Sequence, residues 1–483
     1  MLCLLQLRGF WGFNMEWKKL LSAKRRGEYK SKRSVKAADL RSEFEKDYHR
    51  IIVSASFRRL QDKTQVFPLD KSDFIRTRLT HSLEVSSIAK SLGQNISEHI
   101  IKNKLDPDFS AQQKSDVSDI LQCAGLIHDI GNPPFGHFGE EAIREWFRVH
   151  LPRLHYQGQA VSEILSPQMQ ADFYNFEGNA QALRLVSKLH FLVNENGMNL
   201  TYALLNTIIK YPVSSLGLGK VKGNVQYKKM GYFYSEEDLY KHISMSTGAI
   251  NCRHPLAYAL EAADDIAYCT ADIEDAFKKG HITYDILLTE LTKRMNSKYK
   301  ENFMIKTLTD QYQKAIDNDV EDKELFAVQN WLVRMQGALI NSATKGFVKN
   351  YNAIMAGTYK YDIFHGTDGE QLTKALGSIA YDYAFTSQAI LKMEIAEGQM
   401  LNFLMNKFVS AFLLYDTPTK LGMIEEKYIT LISGNYKQIY HTYSEGKSEQ
   451  EKLYLRLLLV TDFVCGMTDS YAKNMYQELN GID

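Results

Sequence analysis

Apolar residues along this chain recur mostly at spacings of three and four, and strictly alternating runs are few. The pattern predicts helices over 80–102, 115–130, 255–279, 384–415 and 451–478. KTQVF (63–67) and GYFYSE (231–236) are the best strand candidates. No repeat of 20–50 residues and no low-complexity tract interrupts the pattern. The predicted fold class is mainly α, with at most short β elements.

In 115–130, Val117, Ile120, Leu121, Ala124, Ile127 and His128 form one stripe that faces a core. Asn132-Pro133-Pro134 ends this helix, because proline lacks the N–H donor and clashes with the preceding turn. His128 and Asp129 are thereby expected at a helix C-terminal end, with a rigid loop ahead. In 80–102, His81, Val85, Ile88 and Leu92 share a face, with Thr80 as N-cap and Gly93 as stop. The helix 255–279 has Pro255 in its first turn and Gly280 at its end. Leu256, Leu260, Ala263 and Ala267 make its apolar stripe. Asp264, Tyr268 and Asp272 lie four apart along a neighbouring edge of about 12 Å. The segment 212–230, rich in Gly, Ser and Lys, is expected to be a basic, mobile loop. Its GLGKVKG matches neither a Walker A sequence nor a dinucleotide-binding fingerprint.

Composition narrows the picture. The 483 residues are 45% hydrophobic, enough for one large core or several ordinary ones. Lys+Arg (58) and Asp+Glu (57) nearly cancel, so no global charge draws the protein to nucleic acid or membrane. Cys3, Cys123, Cys252, Cys269 and Cys465 are scattered, which fits reduced thiols and a cytoplasmic location. The apolar start MLCLLQLRGFWGFN lacks the basic region and cleavage site of a signal peptide and is too short to span a bilayer. MEWKKLLSAKRRG, from Met15, reads like a natural beginning, so 1–14 is expected to be an N-terminal extension.

Taken singly, a histidine at a helix end or a pair of adjacent acids is an ordinary structural feature. Together, His81, His128-Asp129 and Asp264 all lie on helices with core-facing stripes. Alanines surround Asp264, and a carboxylate buried there needs a partner. Two imidazoles and two carboxylates suit one divalent cation: imidazole favours Mn, Fe, Ni or Zn, carboxylate Mg or Mn.

The order His81, His128-Asp129, Asp264 resembles the HD-domain metal-dependent phosphohydrolases. SASFRRLQDKTQVF, RTRLTHSLEV, HDIGNPPFGHFGE, FEGNAQ, IIKYP, KMGYFYSE, EAADDIAY and DFVCGMTD, in this order, narrow the resemblance to the deoxyguanosine triphosphate triphosphohydrolases. It runs from about Met15 to about residue 478, and 285–380 carries no matching words. It implies an HD-domain helical bundle over 15–280, with a helical region over 281–483 completing the nucleotide pocket and oligomer interface. It implies cleavage of dGTP into deoxyguanosine and tripolyphosphate, with Mg2+ or Mn2+ held by His81, His128, Asp129 and Asp264. Asp264 is preferred to Asp265 because Tyr268 and Asp272 then match the family's spacing. His137 and Glu140 correspond to a catalytic dyad; they lie three apart where a helix restarts. Arg78, Lys210, Tyr211 and Lys229 correspond to phosphate contacts. Tyr268 and Asp272 correspond to sugar contacts and Gln65 to a base contact. Asn179 and Gln181 are expected near the dyad, and Arg456 at a guanine. The resemblance further implies a dimer-based tetramer or hexamer, and single-stranded DNA or a dNTP as regulator. The basic stretches 18–33 and 219–229 are candidate surfaces for the DNA. Rival readings are a broader dNTPase, an HD phosphodiesterase or guanosine-polyphosphate hydrolase, and a nucleotide-sensing, DNA-binding scaffold.

Overall fold

The computed structural model describes residues 14–26, 39–67, 69, 74–190, 196–295 and 302–482. Of the extension expected at 1–14 only Asn14 is among them, and the basic stretch 18–33 lies outside them from residue 27 on.

Helices dominate. α1 (Arg78–Lys102), α2 (Ala111–Ile127), α3 (Gly136–His150) and α4 (Gly178–Arg184) precede α5 (Pro255–Lys278) and α6 (Lys323–Lys349). α7 (Gln388–Phe412), α8 (Glu449–Cys465) and α9 (Asp469–Asn480) follow. Among the described residues the sheet is one hairpin, His155–Tyr156 against Gln159–Ala160, in the register His155↔Ala160 and Tyr156↔Gln159. Its turn residues Gln157 and Gly158 have φ of 51° and 84°, the left-handed pair that a tight two-residue hairpin needs.

Neither predicted strand forms. Residues 63–67 are a bend with the single bridge Thr64–Thr77, and 231–236 is an extended run ending in a 3-10 turn, Tyr234–Glu236. The alternation in GYFYSE has another cause. Tyr232 belongs to one hydrophobic cluster and Phe233 to the other, so this segment threads between two cores without a ladder partner.

Helix ends also differ from the sequence pattern. Thr77, not Thr80, caps α1: its Oγ accepts from Thr80 N–H, and Thr80 Oγ1 accepts from Thr77 N–H. Thr80 is therefore the reciprocal partner in a capping box. Gly93 does not stop α1, which runs through it to Lys102. A Cβ on Gly93 would lie 2.9 Å from Leu121 Cδ1, and one on Gly125 would lie 2.5 Å from Ser86 Cα. These glycines let α1 and α2 approach closely, a packing role that sequence does not separate from a stop. The helix predicted over 451–478 is two: α8 ends at Cys465, Gly466 is its C-cap, and Thr468 caps α9. Apolar period continues through the break because Val464, Met467, Ala472 and Met475 all remain buried. Ahead of α7, residues Tyr381–Phe385 form a π-helical turn.

One cluster gathers the stripes of α1, α2, α5 and α6 around Val85, Leu121, Leu260 and Trp331. The second gathers α3, α7 and α8 around Phe147, Phe408 and Leu458. Each fully buried Leu or Phe contributes about 1.5–3 kcal/mol. Both clusters draw residues from either side of position 280. No helix among the described residues is long and apolar enough to cross a membrane.

Gly125→Ala should destabilise the fold by about 1–3 kcal/mol through overpacking at the α1–α2 crossing. Chemical denaturation measures it; an unchanged midpoint and slope would refute the close approach.

Candidate active site

The first turn of α1 carries Arg78 and His81, and the C-terminal end of α2 presents His128 and Asp129. His128 Nδ1 lies 2.8 Å from the carbonyl oxygen of Gly125. A carbonyl only accepts, so Nδ1 carries the proton and Nε2 keeps a lone pair. That Nε2 lies 3.3 Å from Asp264 Oδ1 and 3.6 Å from Asp129 Oδ1, buried and without a hydrogen-bond partner. His81 Nε2 lies 3.2 Å from the same Asp264 oxygen. One ligand atom from each of His81, His128 and Asp264 falls within 4.8 Å of the others. Donors at about 2.0–2.2 Å from one ion have such separations. Two imidazoles and a carboxylate, with Asp129 adjacent, thus fit a divalent cation. The outer oxygens are taken: Arg78 pairs with Asp129 Oδ2, and Lys210 Nζ lies 2.8 Å from Asp264 Oδ2. Burial together with the charges of Glu261 and Asp264 pushes the Asp265 carboxyl well above the ordinary range. It joins none of these contacts.

A short loop leads from this centre to α3. Lys63 Nζ donates to the carbonyls of Asn132 (2.5 Å) and Cys465 (2.7 Å). Asp469 accepts from Phe135 N–H at 2.9 Å and from Thr64 N–H at 2.8 Å. Held so, Phe135 and Gly136 adopt φ of 64° and 59°. The left-handed region is costly for phenylalanine, and surrounding contacts must enforce it. A Cβ on Gly136 would lie 2.4 Å from Arg78 Nη2. The distorted turn therefore starts α3 close against the cation beside Asp129.

His137 and Glu140 meet on the first turn of α3. His137 is exposed, with Nδ1 3.3 Å from Glu140 Oε2, while Glu140 is buried. Glu140 Oε1 accepts from Gly178 N–H at 2.7 Å. Burial pushes the Glu140 carboxyl up, but the hydrogen bond and charge of His137, with Lys229 and Arg144, outweigh it and hold the group below its ordinary range. Arg144 Nη2 bridges Glu140 Oε2 (3.4 Å) and Glu177 Oε2 (3.1 Å). Glu177 Oε1 also accepts from Lys229 Nζ (2.9 Å) and Asn179 Nδ2 (2.7 Å).

The remaining candidates divide. Tyr211 is buried near Lys210, with the Arg253 guanidinium over its ring at 5.6 Å. Asp272 is buried and its Oδ1 has no partner; burial and the charge of Asp275 push its carboxyl well up. Gln65 Oε1 is likewise buried and unpartnered. Tyr268 is partly buried, and a Cβ on Gly377 would lie 3.3 Å from its hydroxyl. Gln181 Nε2 donates to Asp462 Oδ1 at 2.9 Å, and its Oε1 is buried and unpartnered. Arg456 lies in the second core, over the Tyr156 ring at 4.9 Å and donating to the Tyr415 carbonyl at 3.1 Å. Sequence reasoning missed Lys63, Arg144, Glu177 and Asp469. Arg144 was open to detection, being four residues from Glu140 on one helix. Lys63 and Asp469 give no local signal, because their partners lie in distant parts of the chain.

The family model described as "HD domain" matches residues 78–208. A deoxyguanosinetriphosphate triphosphohydrolase-like protein of Listeria innocua is 50% identical over 471 residues, covering 97% of this chain and all of the relative. One from Synechocystis is 33% identical over 97% of this chain and 100% of its own length. A deoxyguanosinetriphosphate triphosphohydrolase of Serratia proteamaculans is 30% identical over 91% of this chain and 94% of its own.

Asp264→Ala should abolish retention of a divalent metal, whereas Asp265→Asn should retain it. Elemental analysis after dialysis distinguishes them; metal kept by the first and lost by the second would move the ligand to Asp265.

Proposed function

This chain belongs to the deoxyguanosinetriphosphate triphosphohydrolase-like family of HD-domain proteins, and on that premise we propose that it hydrolyses deoxynucleoside triphosphates, preferring dGTP, to the deoxynucleoside and intact tripolyphosphate. The observation that carries this reading is the convergence of His81, His128 and Asp264 within 4.8 Å, beside Asp129 and one loop away from the His137–Glu140 pair. Mg2+ or Mn2+ held by His81, His128, Asp129 and Asp264 would act as a Lewis acid on a phosphoryl oxygen.

The chain's own groups supply the rest. Arg78, Lys210 and Lys229 offer positive charge to the triphosphate, and Tyr211 lines its side. Hydrolysis breaks the bond between the α-phosphorus and the 5′ oxygen; the water oxygen goes to phosphorus and a proton to the 5′ oxygen. His137, fixed at Nδ1 by Glu140, exposes its other nitrogen for that proton transfer. The buried, unpartnered Asp272 Oδ1 suits the 3′-hydroxyl, and the Tyr268 ring closes the space a 2′-hydroxyl needs. The unpartnered Gln65 Oε1 suits a donor on the base edge. Asn179 contributes through Glu177. The proposal includes a homo-oligomer in the cytoplasm. It also includes single-stranded DNA as a regulator, met by the exposed Lys220, Lys222 and Lys228.

With Mn2+ and dGTP, ion chromatography should find tripolyphosphate and deoxyguanosine in equal amounts. Monophosphate or pyrophosphate would favour a phosphodiesterase or guanosine-polyphosphate hydrolase instead. His137→Ala should lower turnover by about 10²–10⁴-fold; equal rates would remove the dyad assignment. Tyr268→Ala should relax discrimination against GTP more than it lowers dGTP turnover. Continued rejection of GTP would end the sugar-wall reading.

A further inference from the structure

Each cation assigned above to the triphosphate rests on an acid of the site. Arg78 is paired with Asp129, Lys210 Nζ lies 2.8 Å from Asp264 Oδ2, and Lys229 Nζ lies 2.9 Å from Glu177 Oε1. One of these acids, Asp264, belongs to the cation-binding cluster, and another, Asp129, lies beside it. In Asp264 the division is clear: Oδ1 faces both imidazoles and Oδ2 faces Lys210. Arg78 likewise takes Oδ2 of Asp129, whose Oδ1 is the oxygen near His128. Lys210 and Arg78 are both buried, so water screens these pairings little.

A fixed ammonium on the outer oxygen of a metal carboxylate has two effects. It neutralises charge that would attract a divalent ion, and it keeps that oxygen from chelating. A polyanion that draws the ammonium away removes both. We propose that Lys210, with Arg78 in the same role on Asp129, is a positioning counter-charge that weakens metal binding until phosphate oxygens replace the carboxylate as its partner. Metal and phosphate then bind with positive, reciprocal coupling. The coupling rests on the triphosphate reading above; the effect of Lys210 on metal affinity does not.

The test titrates Mn2+ into metal-free protein without nucleotide, using paramagnetic resonance of the free ion. Lys210→Met should bind Mn2+ about tenfold tighter than wild type, the scale of changes made just outside a metal's ligands. Lys210→Arg, which keeps the charge, should stay near wild type. The rise in Tm on adding Mn2+ should also be larger in the Met variant, whose metal-free form leaves Asp264 without its counter-charge. Lys210→Gln serves if the Met variant does not fold, because an amide still donates to Asp264. In a second arm, a dGTP analogue with a methylene group in place of the 5′ oxygen, which cannot be cleaved at that bond, should raise Mn2+ affinity less in Lys210→Gln than in wild type. Chelation by the analogue itself is common to both proteins and cancels. Unchanged or weaker Mn2+ binding in Lys210→Met and Lys210→Gln would overturn the proposal, and equal enhancement by the analogue would overturn its coupling. Failure to release tripolyphosphate from dGTP would instead sink the functional reading and leave the metal titration to judge Lys210.

Discussion

The Asp264 carboxylate is the interaction on which this structure turns. It sits in the middle of the long helix α5, approached by His81, His128 and Lys210 from three other segments of the chain. A lone ionised carboxylate would be costly there, and removing one partner of a buried pair typically costs about 3–5 kcal/mol. The folds of α1, α2 and α5 must therefore bring these groups to one point. The tight crossing at Gly125 does two jobs at once: it lets α1 lie against α2, and its carbonyl fixes the tautomer of His128.

A second set of buried charges holds the region around the dyad. Arg184 pairs with Asp462 at 2.6 Å and with Glu236 at 2.9 Å, and Lys188 reaches Glu236 at 2.8 Å. Gln181 completes the Asp462 shell. This cluster ties α4 to α8 and to the extended run before Glu236, so that Gly178 N–H meets Glu140. Lys63 and Asp469 do the corresponding work on the other side, pinning the proline loop and the start of α3. The His137–Glu140 pair is thus clamped by contacts to segments far away in sequence.

That division explains what the sequence made legible. The phases of α1, α2 and α5 follow from strong apolar periodicity; Asp264 and Asp265 point about 100° apart on α5, and the family's spacing to Tyr268 and Asp272 chose between them. His137 and Glu140 meet because residues three apart on a helix are neighbours. Other features had no local signature. Gly93 and Gly466 are the same residue type, yet one lets helices cross and the other ends a helix. Tyr232 and Phe233 alternate because two cores flank them, not because a strand pairs. Gln181, Glu236 and Asp462 stand within words that resemble the family's, but they serve one buried network: Gln181 and Arg184 donate to Asp462, and Arg184 and Lys188 pair with Glu236. Sequence resemblance marks such positions without saying whether they serve chemistry or support.

The most direct measurement is anomalous diffraction from crystals of the full chain grown with Mn2+. A metal held by these four side chains gives one strong peak per chain, about 2.0–2.2 Å from His81 Nε2, His128 Nε2 and one oxygen each of Asp129 and Asp264. A peak elsewhere, or none at these four side chains, would contradict that assignment.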